Sequence, residues 1–177
     1  MKFCIQCGSQ QVAHTIPSGD SRLRYICSSC DYIHYQNPRI ICGTLPIYQD
    51  KVLLCLRAIE PRKNYWTLPA GFMENGETVA EAAQRESFEE AEAQVELHGL
   101  YTMFDIPRIN QVQLFFRGHV TNGKFGVGEE SLDSKLFSEA EIPWQELAFP
   151  TVKRTLELYF IDRKLGQYPL HAEQITG

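Results

Sequence analysis

The sequence lacks the apolar segments that direct a chain to a membrane or anchor it there. Its first ten residues, MKFCIQCGSQ, contain no signal-peptide core, and no run approaches the 18 or more apolar residues of a spanning helix. Low-complexity tracts and long repeats are also missing. The length of 177 residues and the 44% hydrophobic content suit one domain plus a small appendage. We therefore expect a globular, soluble, cytoplasmic protein without a membrane partner.

An excess of positive charge is also missing. The chain has 17 Lys and Arg against 22 Asp and Glu, which gives a net charge of −5. This balance argues against broad electrostatic affinity for nucleic acid, because phosphate backbones are bound by clustered cations. The charge is uneven, since residues 1–39 carry +2 and the remainder carries −7. We expect a small-molecule partner rather than nucleic acid.

Four of the six cysteines form two closely spaced pairs. Cys4 and Cys7 are separated by two residues, as are Cys27 and Cys30, and 19 residues lie between the pairs. This spacing is typical of a tetrahedral zinc site with four thiolate ligands. A disulfide framework is the alternative, and it is expected mainly in oxidising compartments. The pattern therefore predicts a Zn²⁺ site made of these four cysteines.

The segment around these cysteines predicts a zinc ribbon over residues 1–36. Residues 12–16 and 22–26 are typical of two short strands that form a hairpin around Pro17-Ser18-Gly19-Asp20. A segment this short has little hydrophobic core of its own. We therefore expect the zinc to be structural.

The middle of the chain contains a strongly acidic helix. Apolar spacing predicts this helix from Thr78 to about Gln94, with the apolar side chains facing a sheet and the glutamates facing outward. The apolar side chains in question are Val79, Ala82, Ala83 and Phe88. Residues three and four apart share a helix face, so Glu86, Glu89 and Glu90 form one acidic patch. Stacked like charges cost stability unless a cation lies among them, so this patch indicates a metal site.

Spacing within this region resembles a family signature. Five residues lie between Gly71 and Glu77, seven lie between Glu77 and Arg85, and Arg-Glu-x-x-Glu-Glu follows. This resembles the Nudix box, G-x5-E-x7-R-E-U-x-E-E-x-G-U, in which U is an aliphatic residue. All five charged positions of the pattern are present. They are Glu77, Arg85, Glu86, Glu89 and Glu90.

Three positions depart from the signature. Ser87 and Ala93 occupy aliphatic sites, and Glu92 replaces the second glycine. That glycine would end the helix with a positive φ, which costs another residue roughly 1 kcal/mol. The departures therefore concern the end of the helix rather than the carboxylates.

Periodicity alone predicts only an α/β or α+β domain, whereas the resemblance implies a Nudix α/β/α sandwich with a mixed sheet. We assign residues 37–165 to this domain and residues 166–177 to a C-terminal tail. The strands expected in the domain are 40–46, 52–57, 97–104 and 111–120, and 151–164 is expected to form a closing helix.

Clustered carboxylates indicate metal-assisted hydrolysis. A bound divalent cation neutralises phosphoryl oxygens and acidifies water, and oxygen ligands favour Mg²⁺ or Mn²⁺. The resemblance implies that the substrate is a nucleoside diphosphate linked to another moiety. It also implies a metal site made of Glu86, Glu89, Glu90 and the backbone carbonyl of Ala70, with Glu86 and Glu89 among the catalytic residues. Gly71, Glu77 and Arg85 would support the geometry of the loop and helix.

The general base is not part of the box. Nudix enzymes often take it from a later acidic loop, and this chain offers Glu129, Glu130 and Asp133. We predict Glu130 as the base, and an ordinary solvated glutamate is the alternative at that position.

The substrate is predicted from a second resemblance. The segments that carry it include Tyr35-Gln-Asn-Pro, Trp66-Thr-Leu-Pro-Ala-Gly and Asp105-Ile-Pro. With them, residues 4 to about 160 are similar to the zinc-ribbon Nudix group that includes the plant FAD/ADP-ribose pyrophosphatase. This resemblance implies hydrolysis of FAD or ADP-ribose to AMP and a phosphorylated product. NADH pyrophosphatases carry a Ser-Gln-Pro-Trp array after the box, and none follows Ala93. We expect Arg57 to bind a phosphate and Phe104 or Trp66 to stack on a base. The alternatives are packing or surface roles for these three residues.

Two further alternatives for the function remain open. One is a pyrophosphatase that acts on NADH or NAD-capped RNA, with the ribbon holding the strand. The other is a nucleotide-sensing or nucleic-acid-binding module without turnover, which the five retained charged residues disfavour. The resemblance also implies a homodimer.

Overall fold

The computed structural model describes residues 1–176 in two compact units. The first is Met1–Asn37, and the second begins at Pro38. Among residues 1–176, no helix combines the length and the apolar character needed to cross a membrane.

The first unit is a small antiparallel sheet with the cysteines in its loops. Its three strands are β1 (Val12–Thr15), β2 (Arg24–Cys27) and β3 (Ile33–His34), paired in the order β1-β2-β3. Strands β1 and β2 form the hairpin that the sequence predicts, with His14 opposite Tyr25.

The second unit is built on an eight-stranded mixed sheet. Its main path follows the order β10-β5-β4-β9-β8-β11, and the two shortest strands pair with β5 and β4. The pairs β4–β9 and β8–β11 are parallel, whereas the other pairs are antiparallel. The strands are β4 (Arg39–Tyr48), β5 (Lys51–Arg57), β6 (Trp66–Thr67), β7 (Ala70–Phe72), β8 (Val95–Ile106), β9 (Gln111–Val120), β10 (Ser131–Phe137) and β11 (His171–Gln174).

Two α-helices cover opposite faces of this sheet. They are α1 (Val79–Ala91) and α2 (Pro150–Leu165). On β9, Leu114 and Phe116 pack with the alanines of α1, whereas Phe115 points to the opposite face and packs with α2. Four 3-10 turns lie in the connections, at Pro107–Ile109, Thr121–Gly123, Glu139–Glu141 and Trp144–Glu146. The arrangement confirms the predicted α/β/α sandwich with a mixed sheet.

The predicted strands and the closing helix are present, and each extends at most two residues beyond its expected ends. Helix α1 is shorter than its predicted range, 78–94. Thr78 caps its start in a capping box with Glu81, and Glu92 follows its end with φ 49°. The position at which the Nudix pattern has glycine therefore has the left-handed backbone that favours glycine.

The predicted orientation of α1 is wrong in two respects. Phe88, expected to face the sheet, is 55% exposed. Glu86 and Glu90, expected to face outward, are only 9% and 6% exposed. Ser87 is fully buried and hydrogen-bonds Thr44 Oγ1 at 2.7 Å, so a polar pair occupies the site where the family pattern has an aliphatic residue.

The segment predicted as a tail contains a strand. Strand β11 runs parallel to β8, and His171 Nε2 lies 2.7 Å from Asp162 Oδ2 on α2. Tyr101 donates its hydroxyl to the same oxygen at 2.8 Å. Arg154 of α2 also forms two hydrogen bonds with Glu173. Polar contacts therefore attach this segment to the domain, and a four-residue strand without an apolar pattern gave no signal in the sequence.

Candidate active site

A cavity of about 1330 Å³ opens in the second unit beside α1. One part of its wall is acidic, another carries three arginines, and the remainder is apolar or contains side-chain amides. The acidic residues are Glu60, Glu74, Glu86, Glu89, Glu90, Glu92, Glu129 and Glu130, and the arginines are Arg39, Arg57 and Arg85. The cavity therefore combines a site suited to a cation with groups suited to an anion.

Arg85 connects α1 to the loop between β7 and α1. Its guanidinium contacts Glu77 at 2.8 Å, Glu86 at 2.6 Å and Glu89 at 2.9 Å. It also donates to the carbonyl of Phe72 at 3.1 Å. Hydrogen bonds from Arg85 lower the pKa of the Glu77 carboxyl to about 2. This network ties strand β7 and the loop after it to the carboxylates of α1.

Glycine at position 71 makes room for the acidic cluster. A Cβ atom built there would overlap the carboxylate of Glu86. Strand β7 therefore passes directly against the carboxylates of α1, which brings the backbone of Ala70 close to them. The sequence analysis predicted the Ala70 carbonyl as a metal ligand and Gly71 as a supporting residue, and both residues line the cavity.

Glu90 is the least satisfied charged group of the cavity. Its Oε2 atom is buried and has no hydrogen-bond partner within residues 1–176. Burial raises the pKa of Glu90 to about 8, and the nearby charge of Glu86 adds to this effect, while Arg57 opposes it. Burial also raises the pKa of Glu86. Two neighbouring buried carboxylates with one unpaired oxygen fit a cation, because a cation would supply the positive charge that compensates their negative charges.

A glycine loop, Gly126-Val127-Gly128, packs against the end of α1 and is followed by two further carboxylates. The amide of Gly126 donates to the carbonyl of Ala91 at 2.6 Å, and that of Gly128 donates to the carbonyl of Glu90 at 3.1 Å. These contacts satisfy carbonyls that the helix end leaves free. A Cβ atom at Gly128 would overlap the carbonyl oxygen of Glu89. The close approach places Glu129 and Glu130 in the cavity wall.

Sequence reasoning missed this glycine loop, although Gly126-Val127-Gly128 stands in the printed sequence directly before the acidic pair. Of the three predicted base candidates, Glu129 and Glu130 line the cavity, whereas Asp133 lies outside it and accepts a hydrogen bond from the Ser134 amide at 2.8 Å. The negative charge of Glu130 raises the pKa of both Glu86 and Glu90.

The three predicted substrate residues have different positions. Arg57 lines the cavity, where its Nε donates to the Pro61 carbonyl at 2.9 Å and its guanidinium lies 5.2 Å from the Phe149 ring. Phe104 is 0% exposed inside the core, so its predicted stacking on substrate is wrong.

Trp66, the third of these residues, is partly buried and packs edge-on against Phe137 with 4.8 Å between ring centroids. It does not line the cavity. The aromatic residues that do are Phe72, Phe88, Phe115 and Phe149, and the sequence analysis assigned none of them to substrate. The sequence did contain one indication for Phe72, since it directly follows Gly71, the first residue of the Nudix signature.

The four cysteines of the first unit form a second cluster. The Sγ atoms of Cys4 and Cys30 are 3.7 Å apart, those of Cys7 and Cys27 are 3.6 Å apart, and all four lie within 4.8 Å of one another. A zinc tetrahedron with bonds of about 2.3 Å has edges of about 3.8 Å, so these thiols fit Zn²⁺.

Each cysteine pair is followed by a residue with a positive φ. These residues are Gly8 at 73° and Asp31 at 56°. The amide of Gln6 also donates to the sulfur of Cys4 at 3.4 Å. The turns thus aim both pairs at one point.

Comparison with known proteins finds relatives among solved structures and among curated sequences. The chain is 48% identical to a NUDIX hydrolase of known structure from Nitrosomonas europaea, with 99% of each chain covered and a TM-score of 0.95. It is 32% identical over 122 residues to an ADP-ribose pyrophosphatase from Methanocaldococcus jannaschii, covering 67% of this chain and 71% of the relative.

A third similarity is to the NAD-capped RNA hydrolase NudC from Edwardsiella ictaluri, at 36% identity over 95 residues. That match covers 53% of this chain and spans 34% of the relative's length.

Family comparison agrees with both units. Residues 2–36 match the zinc-ribbon family described as Nudix N-terminal, and residues 38–159 match the NUDIX domain. The second match covers more than half of the chain and includes the whole signature around α1. The chain therefore belongs to the Nudix family of hydrolases and carries an N-terminal zinc-ribbon segment.

Proposed function

We propose that this protein is a metal-dependent pyrophosphatase that hydrolyses the diphosphate of FAD or ADP-ribose. The products are AMP and either FMN or ribose 5-phosphate. The observation that carries the proposal is the buried carboxylate pair Glu86 and Glu90. Both residues line a cavity that also contains arginines, and Glu90 Oε2 has no hydrogen-bond partner within residues 1–176. The named ADP-ribose pyrophosphatase relative supports the substrate class.

Glu86, Glu89, Glu90 and the carbonyl of Ala70 are the proposed ligands of Mg²⁺ or Mn²⁺. The fit rests on the free Oε2 of Glu90, and on the oxygen-only donor set, which suits hard divalent cations. When bound, such a cation neutralises charge on the phosphoryl oxygens and makes water more acidic. Arg85 keeps the glutamates in place, and its own contact with Glu89 is exposed and replaceable.

Glu130 is the proposed general base. Its carboxylate stands in the cavity wall near Glu86 and Glu90, where it would take the proton of the attacking water. Arg57, in the same wall, would bind an oxygen of the diphosphate through the guanidinium hydrogens not used by Pro61.

In the first unit, Zn²⁺ would have a structural role at Cys4, Cys7, Cys27 and Cys30, because the cluster already offers four ligands and leaves no open position for substrate. A homodimer in the cytoplasm remains the expected state of the molecule.

One second candidate has specific support. The relatives named NAD-capped RNA hydrolase share both the family and part of the length, so NADH and NAD-capped RNA are competing substrates. A sensing module without turnover is the third possibility, and it would leave the buried glutamates without a chemical purpose.

The test is a comparison of kcat/KM on zinc-loaded protein with Mg²⁺ or Mn²⁺. The substrates are FAD, ADP-ribose, NADH and an NAD-capped RNA oligonucleotide, each assayed for release of its mononucleotide product. We expect a clear preference for FAD or ADP-ribose, and loss of turnover in Glu89→Gln and Glu90→Gln. A preference for the capped RNA would replace the proposed substrate, and no turnover of any of the four would favour the sensing module.

A further inference from the structure

A hydrogen-bonded series of side chains lies in the cavity wall on the sheet, on residues that the metal chemistry does not use. Thr151, buried at the start of α2, donates its hydroxyl to Gln113 Oε1 at 2.7 Å. Gln113 Nε2 in turn donates to Gln111 Oε1 at 3.2 Å. The orientation of the Gln111 amide is thereby determined from the protein interior.

This series leaves one amide group free. Gln111 lines the cavity, and its Nε2 atom takes part in no hydrogen bond among those formed by residues 1–176. Because Gln111 Oε1 is occupied by Gln113, the group that Gln111 presents is a donor of up to two hydrogen bonds.

A second donor stands beside it. Arg39 lies opposite Gln111 in the parallel pairing of β4 and β9, so both side chains emerge on the same face of adjacent strands. The Arg39 guanidinium lies 5.0 Å from the centre of the Phe72 ring, and it also lines the cavity. Arginine donates hydrogen bonds only, which makes this edge of the cavity rich in donors.

Apolar side chains also line the cavity. Phe72, Ile41 and Ile109 are among them, and the acidic residues of the cavity are carried by other segments, namely α1, the loop before β10 and the loops that hold Glu60 and Glu74. An aromatic face, aliphatic contacts and a row of donors suit a planar ring with acceptor atoms on its edge. A sugar phosphate would leave the apolar surface uncovered.

We propose that Gln111, oriented by Gln113 and Thr151, is a specificity-determining residue that donates to the acceptor edge of a heteroaromatic ring of the substrate. The inference rests on the proposed function, because the ring belongs to the nucleotide half that lies away from the metal ligands. Adenine and the flavin ring share this chemistry, since both carry ring nitrogens or carbonyl oxygens that accept hydrogen bonds.

The test replaces the donor without changing its size. Gln111→Glu places acceptor oxygens and a negative charge where the amide donates. We expect KM for FAD or ADP-ribose to rise by about tenfold or more, with kcat within about twofold, because an interaction that positions the ring is lost. Gln145→Glu is the matched control, since Gln145 is exposed and lies outside the cavity. The thermal unfolding midpoint of each variant checks that it is folded.

Calorimetric titration with AMP, FMN and ribose 5-phosphate separates the sources of the ring. A loss of AMP affinity in Gln111→Glu assigns the site to adenine, and a loss of FMN affinity assigns it to the flavin. An unchanged KM together with unchanged affinity for both nucleotides would overturn the inference while leaving the hydrolase intact. If wild-type protein hydrolyses neither FAD nor ADP-ribose, the proposed function fails, and the AMP and FMN titrations still decide the role of Gln111.

Discussion

The two clusters of candidate metal ligands, four cysteines and three glutamates, are held in place in different ways. The four cysteines lie on two local turns of a 37-residue unit whose strands are two to four residues long. The carboxylates lie on a capped helix packed against an eight-stranded sheet. We therefore expect the first unit to depend on Zn²⁺ for its fold, whereas the second has a hydrophobic core of its own.

Loss of zinc should have the largest effect on the difference between the two units. Cys27→Ser removes one thiolate, and we expect the first unit to unfold, because so small a sheet has too little apolar burial to be stable alone. Limited proteolysis and zinc content measure this directly. Trp66 and Trp144 both lie in the second unit, so an unchanged tryptophan fluorescence would show that the Nudix domain remains folded.

Removal of Mg²⁺ or Mn²⁺ by a mild chelator is the control for that experiment. It should leave the proteolysis pattern of both units unchanged, since the carboxylate cluster does not hold the fold together. Cleavage within residues 1–37 that is equally slow in Cys27→Ser and in wild type would contradict the account of the ribbon.

Removal of the buried carboxylate of Glu90 tests the cluster in the second unit. Glu90→Gln should lower turnover by at least about a hundredfold, because it deletes a proposed metal ligand. The same variant should raise the unfolding midpoint of the metal-free protein near pH 7, since it removes a buried carboxyl whose ionisation the folded state disfavours.

Glu96→Gln is the matched change for this experiment, at an exposed glutamate on β8 that does not line the cavity. It should affect neither turnover nor the unfolding midpoint. A Glu90→Gln enzyme with full activity would remove the metal site from the account.

The glycine loop predicts a smaller effect. In Gly128→Ala, the new Cβ would overlap the Glu89 carbonyl, so the loop must move away from α1. We expect kcat to fall about tenfold, because Glu130 is displaced, while the metal affinity measured by calorimetry changes little. Leu132→Ala, an exposed position outside the cavity, serves as the control. A kcat equal to that of wild type would separate this loop from catalysis.

A substitution at the end of α1 should have the smallest effect, and it should stabilise the protein. Glu92 has φ 49°, a conformation that glycine adopts with less strain. Glu92→Gly should therefore raise the free energy of unfolding by roughly 0.5–1 kcal/mol, as measured by urea denaturation. A lower free energy of unfolding would show that the Glu92 side chain contributes more than its backbone strain costs.

The sequence predicts local features well and the direction of side chains less well. The cysteine pairs, the β1–β2 hairpin and the start of α1 next to Thr78 depend on residues close together in the chain, and each is present. The predicted orientation of α1 is wrong because hydrophobic periodicity assigns Phe88 to the core and Glu90 to solvent, whereas the structure buries Glu90 and exposes Phe88.

Long-range features required the structure. Phe104 lies on β8, which has buried residues on both faces, so alternation could not separate core from cavity. Strand β11 joins the sheet through parallel pairing with a strand some 70 residues earlier, and only the structure shows its contacts. Gln111 and Gln113 were inside a correctly predicted strand, yet their link to Thr151 crosses from the sheet to α2.

The most direct test of the central claim is binding of Mn²⁺ to zinc-loaded protein, measured by calorimetry on wild type, Glu90→Gln and Glu96→Gln. The account predicts that wild type and Glu96→Gln bind Mn²⁺ with the same affinity, and that Glu90→Gln loses at least about tenfold. Equal affinity in all three proteins would contradict the assignment of the buried glutamates of α1 as the metal site.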